Sequence, residues 1–110
     1  MKKSDFLTMR SIMTNKRCMD GDRKSEVYTK GSDDRLANFR TQASKMKVSE
    51  FMVWNIYASK HWDAVQAYLV DGTEGPEGIE SNIQDVQNYC DLLIAMVSDK
   101  KSIDSNNNSV

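Results

Sequence analysis

The stretch YTKGSDDRLANF, residues 28–39, sets a tyrosine, two acids, an arginine and an amide around a Lys-Gly-Ser turn. Turn chemistry accounts for part of it. Gly31 can take the left-handed conformation that ends or turns a helix, and Ser32 or Asp33 can cap the next one. Asp33 and Asp34 in a first turn complement the positive end of the helix dipole. Capping does not require Tyr28, Arg35 or Asn38. A guanidinium beside a tyrosine can meet a phosphate or carboxylate while the ring stacks or donates a hydrogen bond.

Two further groups carry chemistry. Lys60 and His61 adjoin in the middle of one helical pattern, and Asp85, Asn88 and Tyr89 share another. Lys60 falls between Ile56 and Ala64 on an apolar stripe, where a lysine either snorkels to water or pairs with an acid such as Asp85. His61, the lone histidine, follows Trp54 and Tyr57 and reads as a hydrogen-bonded residue at the edge of a core. No Ser-His-Asp or Cys-His arrangement supports nucleophilic catalysis. Asp63, Glu80 and Asp85 are the carboxylate set that two helices could bring to Mg²⁺, although pairing within the protein is the simpler use for them. The candidate ligand-binding residues are therefore Tyr28, Asp33, Arg35, Asn38, Lys60, Asp85, Asn88 and Tyr89. None is assigned to a metal, and no residue is assigned to catalysis.

Helices must position these groups. Alternation of the strand type is missing, and one loop, DGTEGPEG, holds the single proline and three of the glycines. The spacing predicts a helix over 4–19, capped by Ser4 or Asp5, with Phe6, Met9, Met13 and Cys18 inward. Gly21 in MDGDRK then weakens the helix or is crossed on the way to Tyr28. A second helix is expected over 33–46 on the stripe Leu36, Phe39, Ala43 and Met46. The third, 49–70, has Ser49 as its N-cap and is apolar on two sides. Its main stripe is Phe51, Trp54, Ala58, Trp62, Val65 and Leu69, and its second is Val53, Ile56, Ala64 and Ala67. Core packing claims the tryptophans before any base-stacking role, which leaves Tyr57 and Tyr68 for partner contact. The last helix, 79–99, points Ile79, Ile83, Val86, Cys90, Leu93 and Val97 inward, widened by Tyr89, Leu92 and Met96. The expected fold is all-α, a bundle of three to four helices built on a long antiparallel hairpin over residues 1–100. A disordered polar tail is expected over 101–110. The second stripe of the central helix suggests a homodimer.

Composition narrows the function. The chain has 110 residues, 39% hydrophobic and 28% charged, with net charge −1. That is one globular domain without the basic excess of a general nucleic-acid binder, although its first thirty residues are locally basic. No apolar run is long enough for a membrane span, and MKKSDFLTMRS lacks the apolar core of an export signal. A cytoplasmic protein is expected, with Cys18 and Cys90 as buried or half-buried reduced thiols.

The order KSEVYTKGSDDRLANF, a lysine-bearing helix, an acidic loop and DVQNYCDLLIAM resembles small phage and prophage proteins of the nucleotide-modification-associated domain family. It does so over about residues 23–97. The matching positions are Tyr28, Gly31, Asp33, Asn38, Phe39, Lys60, Asp85, Asn88 and Tyr89. The resemblance implies an accessory protein of phage nucleotide metabolism or host takeover, at work in the host cytoplasm and binding a nucleotide or a protein partner. The architecture is also similar to the all-α nucleoside triphosphate pyrophosphohydrolases, in which paired glutamates face a Glu-x-x-Asp around Mg²⁺. The central helix SEFMVWNIYASKHWDAVQAY lacks those glutamates. A divergent Mg²⁺-dependent hydrolase is thus the enzyme alternative, and the only one that brings in a cofactor. A third reading is an inhibitor of a host enzyme or defence complex, its acidic loop 71–80 imitating nucleic-acid charge.

Overall fold

Helices α1 (Lys3–Tyr28), α2 (Ala37–Met46), α3 (Glu50–Asp71) and α4 (Ile79–Asn108) make up the computed structural model. It describes residues 1–29 and 31–108, the side chains of residues 107–108 excepted. No strand occurs among the described residues, and the fold is the expected all-α bundle. Ser49 caps α3 by accepting the Met52 N–H at 3.1 Å, and Gly72 ends that helix at φ +76°, a conformation that favours glycine. After the loop, α4 returns antiparallel, so that Trp54 meets Tyr89 and His61 meets Asp85.

Apolar burial holds the hairpin to α2. Val53 is fully enclosed, with Leu36, Phe39, Ala43 and Met96 around it and Trp54, Tyr57, Tyr89 and Leu92 closing the edges. The Trp54 indole N–H donates to the Tyr89 carbonyl at 2.6 Å, which lets a polar atom stay inside this packing. Arg40 ties three elements together, reaching Asp34 before α2, Glu50 at 3.5 Å and Asp99 at 2.7 Å. In the turn, Ser32 Oγ accepts the Asp34 N–H and Asp34 Oδ1 accepts the Leu36 N–H. The turn is therefore organised by Ser32 and Asp34, while Asp33 stays exposed and caps nothing; α2 starts at Ala37 rather than at 33.

Several expected faces are rotated. On α4 the enclosed residues are Asn82, Asp85 and Met96, with Tyr89 and Leu92 half-buried, whereas Ile83, Cys90 and Val97 are exposed. On α3 the main stripe fails at Trp62 and Leu69, both open to water, and the second stripe divides between enclosed Val53 and exposed Ile56 and Ala67. The cause is that α1 and α2 cover only one side of the hairpin. Apolar periodicity marks every face able to be buried, not the one the neighbours reach.

In α1 no residue is enclosed; Phe6 and Met9 are exposed, as are Cys18 and Cys90. The helix runs unbroken through Gly21 to Tyr28. At its other end α4 continues over residues 101–108, where a disordered tail is expected, because extending a formed helix is cheap and Lys100 pairs with Asp104 one turn on. Residues 109–110 lie outside the described residues. The protein is elongated, with a radius of gyration of 16.6 Å, against about 13 Å for a compact chain of this length.

Candidate functional site

The half of α1 nearest the turn meets α4 through polar groups. Arg17, Gly21, Lys24 and Tyr28 recur at three- and four-residue spacing and so share one face of the helix. Gly21 is the point of closest approach: a Cβ there would lie 2.9 Å from Asn88 Nδ2. Asn88 fills the space by accepting from Arg17 Nη1 at 3.0 Å and donating to the Arg17 carbonyl at 3.4 Å, while Arg17 also pairs with Asp91 at 2.5 Å. This helix docks by hydrogen bonds and charge rather than by an apolar stripe.

One turn along, Asp85 is enclosed, its side chain 9% exposed. Its Oδ1 accepts from Lys24 Nζ at 3.0 Å. That hydrogen bond is the main reason the Lys24 ammonium holds its proton above the usual lysine range. Oδ2 lies 3.3 Å from His61 Nδ1 but out of line for a hydrogen bond. It and Gln84 Nε2 are the enclosed side-chain atoms without a hydrogen-bond partner among the described residues. The His61 ring packs on Tyr89 at 5.2 Å between centroids. Burial in turn raises the Tyr89 phenol, so the ring carries a neutral hydroxyl at neutral pH.

Asp85 lies on the wall of a cavity where all four helices meet, whereas Gln84 does not. Lys24 and Tyr28 come from α1, Asn38 and Phe39 from α2, Tyr57 from α3, and Asn88, Tyr89 and Leu92 from α4. Arg35, from the turn, is exposed at the rim, where its guanidinium donates to the Gly21 carbonyl at 3.3 Å and lies 3.7 Å from Asp22. The cavity is about 90 Å³. At the roughly 10–15 Å³ that one water takes on the same measure, that is space for about six to nine waters. A single ring system fits; a whole nucleotide does not. Four aromatic side chains and one buried carboxylate make the interior suited to a flat, aromatic, hydrogen-donating group.

Of the residues singled out by sequence, Tyr28, Arg35, Asn38, Asp85, Asn88 and Tyr89 come together on this cavity. Asp33 and Lys60 do not. Lys60 is exposed and its ammonium sits over the Tyr57 ring at 5.9 Å from the centroid, so the expected Lys60–Asp85 pair is corrected: Lys24 fills that role. By i±4 spacing Lys60 lies on the side of α3 away from α4, and it snorkels. Sequence reasoning missed Lys24, Gly21 and Arg17. The available signal was a glycine flanked by cations at helical spacing, which marks a close polar helix crossing. Asp63, Glu80 and Asp85 do not assemble, and no group of three His, Cys, Asp or Glu able to hold a metal occurs among the described residues. The residues present therefore do not fit the Mg²⁺ cluster of the hydrolase alternative. None of the described helices is long and apolar enough to cross a membrane.

No family model matches this chain, and no curated protein or solved structure matches it.

Proposed function

We propose that the chain is a nucleotide-binding accessory protein that takes a nucleobase into the four-helix cavity and leaves the phosphate at the rim. One observation carries this reading: a carboxylate enclosed on the wall of an aromatic cavity, with one oxygen held by Lys24 and the other, 3.3 Å from His61 Nδ1, without a hydrogen-bond partner among the described residues. Leaving a buried acceptor without a hydrogen bond costs about 1–3 kcal/mol. A base that presents an amino or ring N–H to Asp85 Oδ2 recovers that cost. Because Oδ2 is shielded from water beside His61, which is not on the cavity wall, the Asp85 side chain must turn for the donor to reach it. Tyr28, Phe39, Tyr57 and Tyr89 supply ring faces and edges against the base. Arg35, exposed and only loosely held at 3.3 and 3.7 Å, has N–H groups left for phosphate.

Binding rather than turnover is favoured because the carboxylates needed to offset phosphate charge through metal ions do not converge. The role fits the accessory place in phage nucleotide metabolism that the sequence resemblance implies. The test is a thermal-shift panel of the common nucleosides and their monophosphates, run beside an assay for phosphate and pyrophosphate release. Stabilisation by bases that carry an N–H donor edge, without release, supports the reading. Release that depends on Mg²⁺ would replace it with the hydrolase, and no stabilisation by any member would remove it.

A further inference from the structure

The face of the α3–α4 hairpin turned away from α1 and α2 carries an apolar strip: its α3 members Ala58 and Val65 are enclosed within the protomer, while Trp62 and Leu69 beside them are open to water. On α3 the three- and four-residue series through Trp62 carries no Asp, Glu, Lys or Arg from Phe51 to Leu69. On α4 the series through Cys90 carries none from Ile79 to Val97. The two series lie side by side, since the helices are antiparallel with His61 opposite Asp85. Trp62 is 50% exposed, Leu69 66% and Ile94 69%, with Ile83, Cys90 and Val97 also open. The charged residues of the hairpin stand on its other faces. Folded monomers rarely leave so wide an apolar strip in water.

We propose that this face is the interface of a homodimer, two copies packing hairpin on hairpin into a four-helix bundle. The area argues for a second copy. The chain exposes 8195 Å² for 12.5 kDa, about 2,000 Å² more than a compact monomer of that mass. An obligate homodimer hides roughly 1,000–2,500 Å² per partner, and standard complexes about 800 Å². Part of the excess belongs to the first turns of α1 and to residues 100–106 of α4, which are exposed throughout. A charge-free, self-similar strip suits a two-fold contact, in which the same patch serves both copies, and offers no steering charge for a different protein. Trp62, central and half-exposed, is the natural anchor. The second stripe of α3 is less suited, because Lys60 interrupts it and Val53 at its start is fully enclosed.

The test is sedimentation equilibrium of the full chain from 1 to 100 µM, with circular dichroism as the check on folding. Wild type is expected at twice 12.5 kDa, and Trp62→Glu at the monomer mass with unchanged helix content. Ile94→Lys, at a side chain with little to lose inside the protomer, provides the same reading should Trp62→Glu fail to fold. Ile56→Lys, on the opposite side of α3, should stay dimeric. A monomeric wild type across the range overturns the proposal, as does a dimer that survives both Trp62→Glu and Ile94→Lys. A mass above the dimer would contradict two-fold closure.

Discussion

Replacing Lys24 with methionine probes the polar docking of α1 directly. Met keeps the length of the stem and removes the ammonium, so Asp85 Oδ1 loses its 3.0 Å partner while the carboxylate stays enclosed. A hydrogen bond to a charged group is worth about 1.5–3 kcal/mol. Lys24 is 47% exposed, and water screening roughly halves that figure, leaving about 1–2 kcal/mol. For a domain of this size the matching fall in Tm is about 4–10 °C. Asp85→Asn must cost less, under about 1 kcal/mol, because the stranded partner is then a half-exposed lysine that returns to water. Lys24→Met combined with Asp85→Leu should recover most of the Lys24→Met loss, since no charge is left buried. Urea unfolding followed by circular dichroism measures all three. The reasoning fails if Asp85→Asn is the more damaging single change, or if Lys24→Met lies within 0.3 kcal/mol of wild type.

Alkaline pH should weaken the fold in a defined window. Lys24, through its bond to Asp85, and Tyr89, through burial, both hold their protons more tightly folded than unfolded. Their contribution is complete below about pH 10 and is lost as pH rises through the folded values, so unfolding free energy should fall only beyond that point. Gly21→Ala sets a gain in helix propensity of about 0.8–1 kcal/mol against the displacement of Asn88. It should be close to neutral in wild type and stabilising in an Asn88→Ala background, read by thermal melts. Ser49→Ala removes the α3 cap bond and should cost about 1 kcal/mol in the same assay.

Much of the fold was legible because it rests on local rules. The Ser49 cap, the loop after α3 and the paired long helices follow from residue type and periodicity alone. The orientation of those helices was not. Phe51, Trp62 and Leu69 on α3, with Ile83, Cys90 and Val97 on α4, form as regular a stripe as any core face, and periodicity does not say which stripe a neighbour will cover. The covered face of α4 holds Asn82 and Asp85, which an apolar count passes over. The candidate site divides in the same way. Tyr28, Asn38, Asp85 and Tyr89 were found because each stands out beside its own helix or turn. Lys24 was missed because its value lies in a partner 61 positions away, and Lys60 drew weight from an apolar stripe that is enclosed at Val53 but open to water around Lys60 itself.

The claim that Asp85 and the surrounding rings form a ligand site is tested most directly by calorimetric titration of nucleoside monophosphates into wild type and Asp85→Asn. A base that satisfies the orphan oxygen gains about 1–3 kcal/mol, so its affinity should drop roughly five-fold or more in the variant while the unfolding free energy falls by less than about 1 kcal/mol. Equal affinities in the two proteins, or no binding by any monophosphate to wild type, would contradict it.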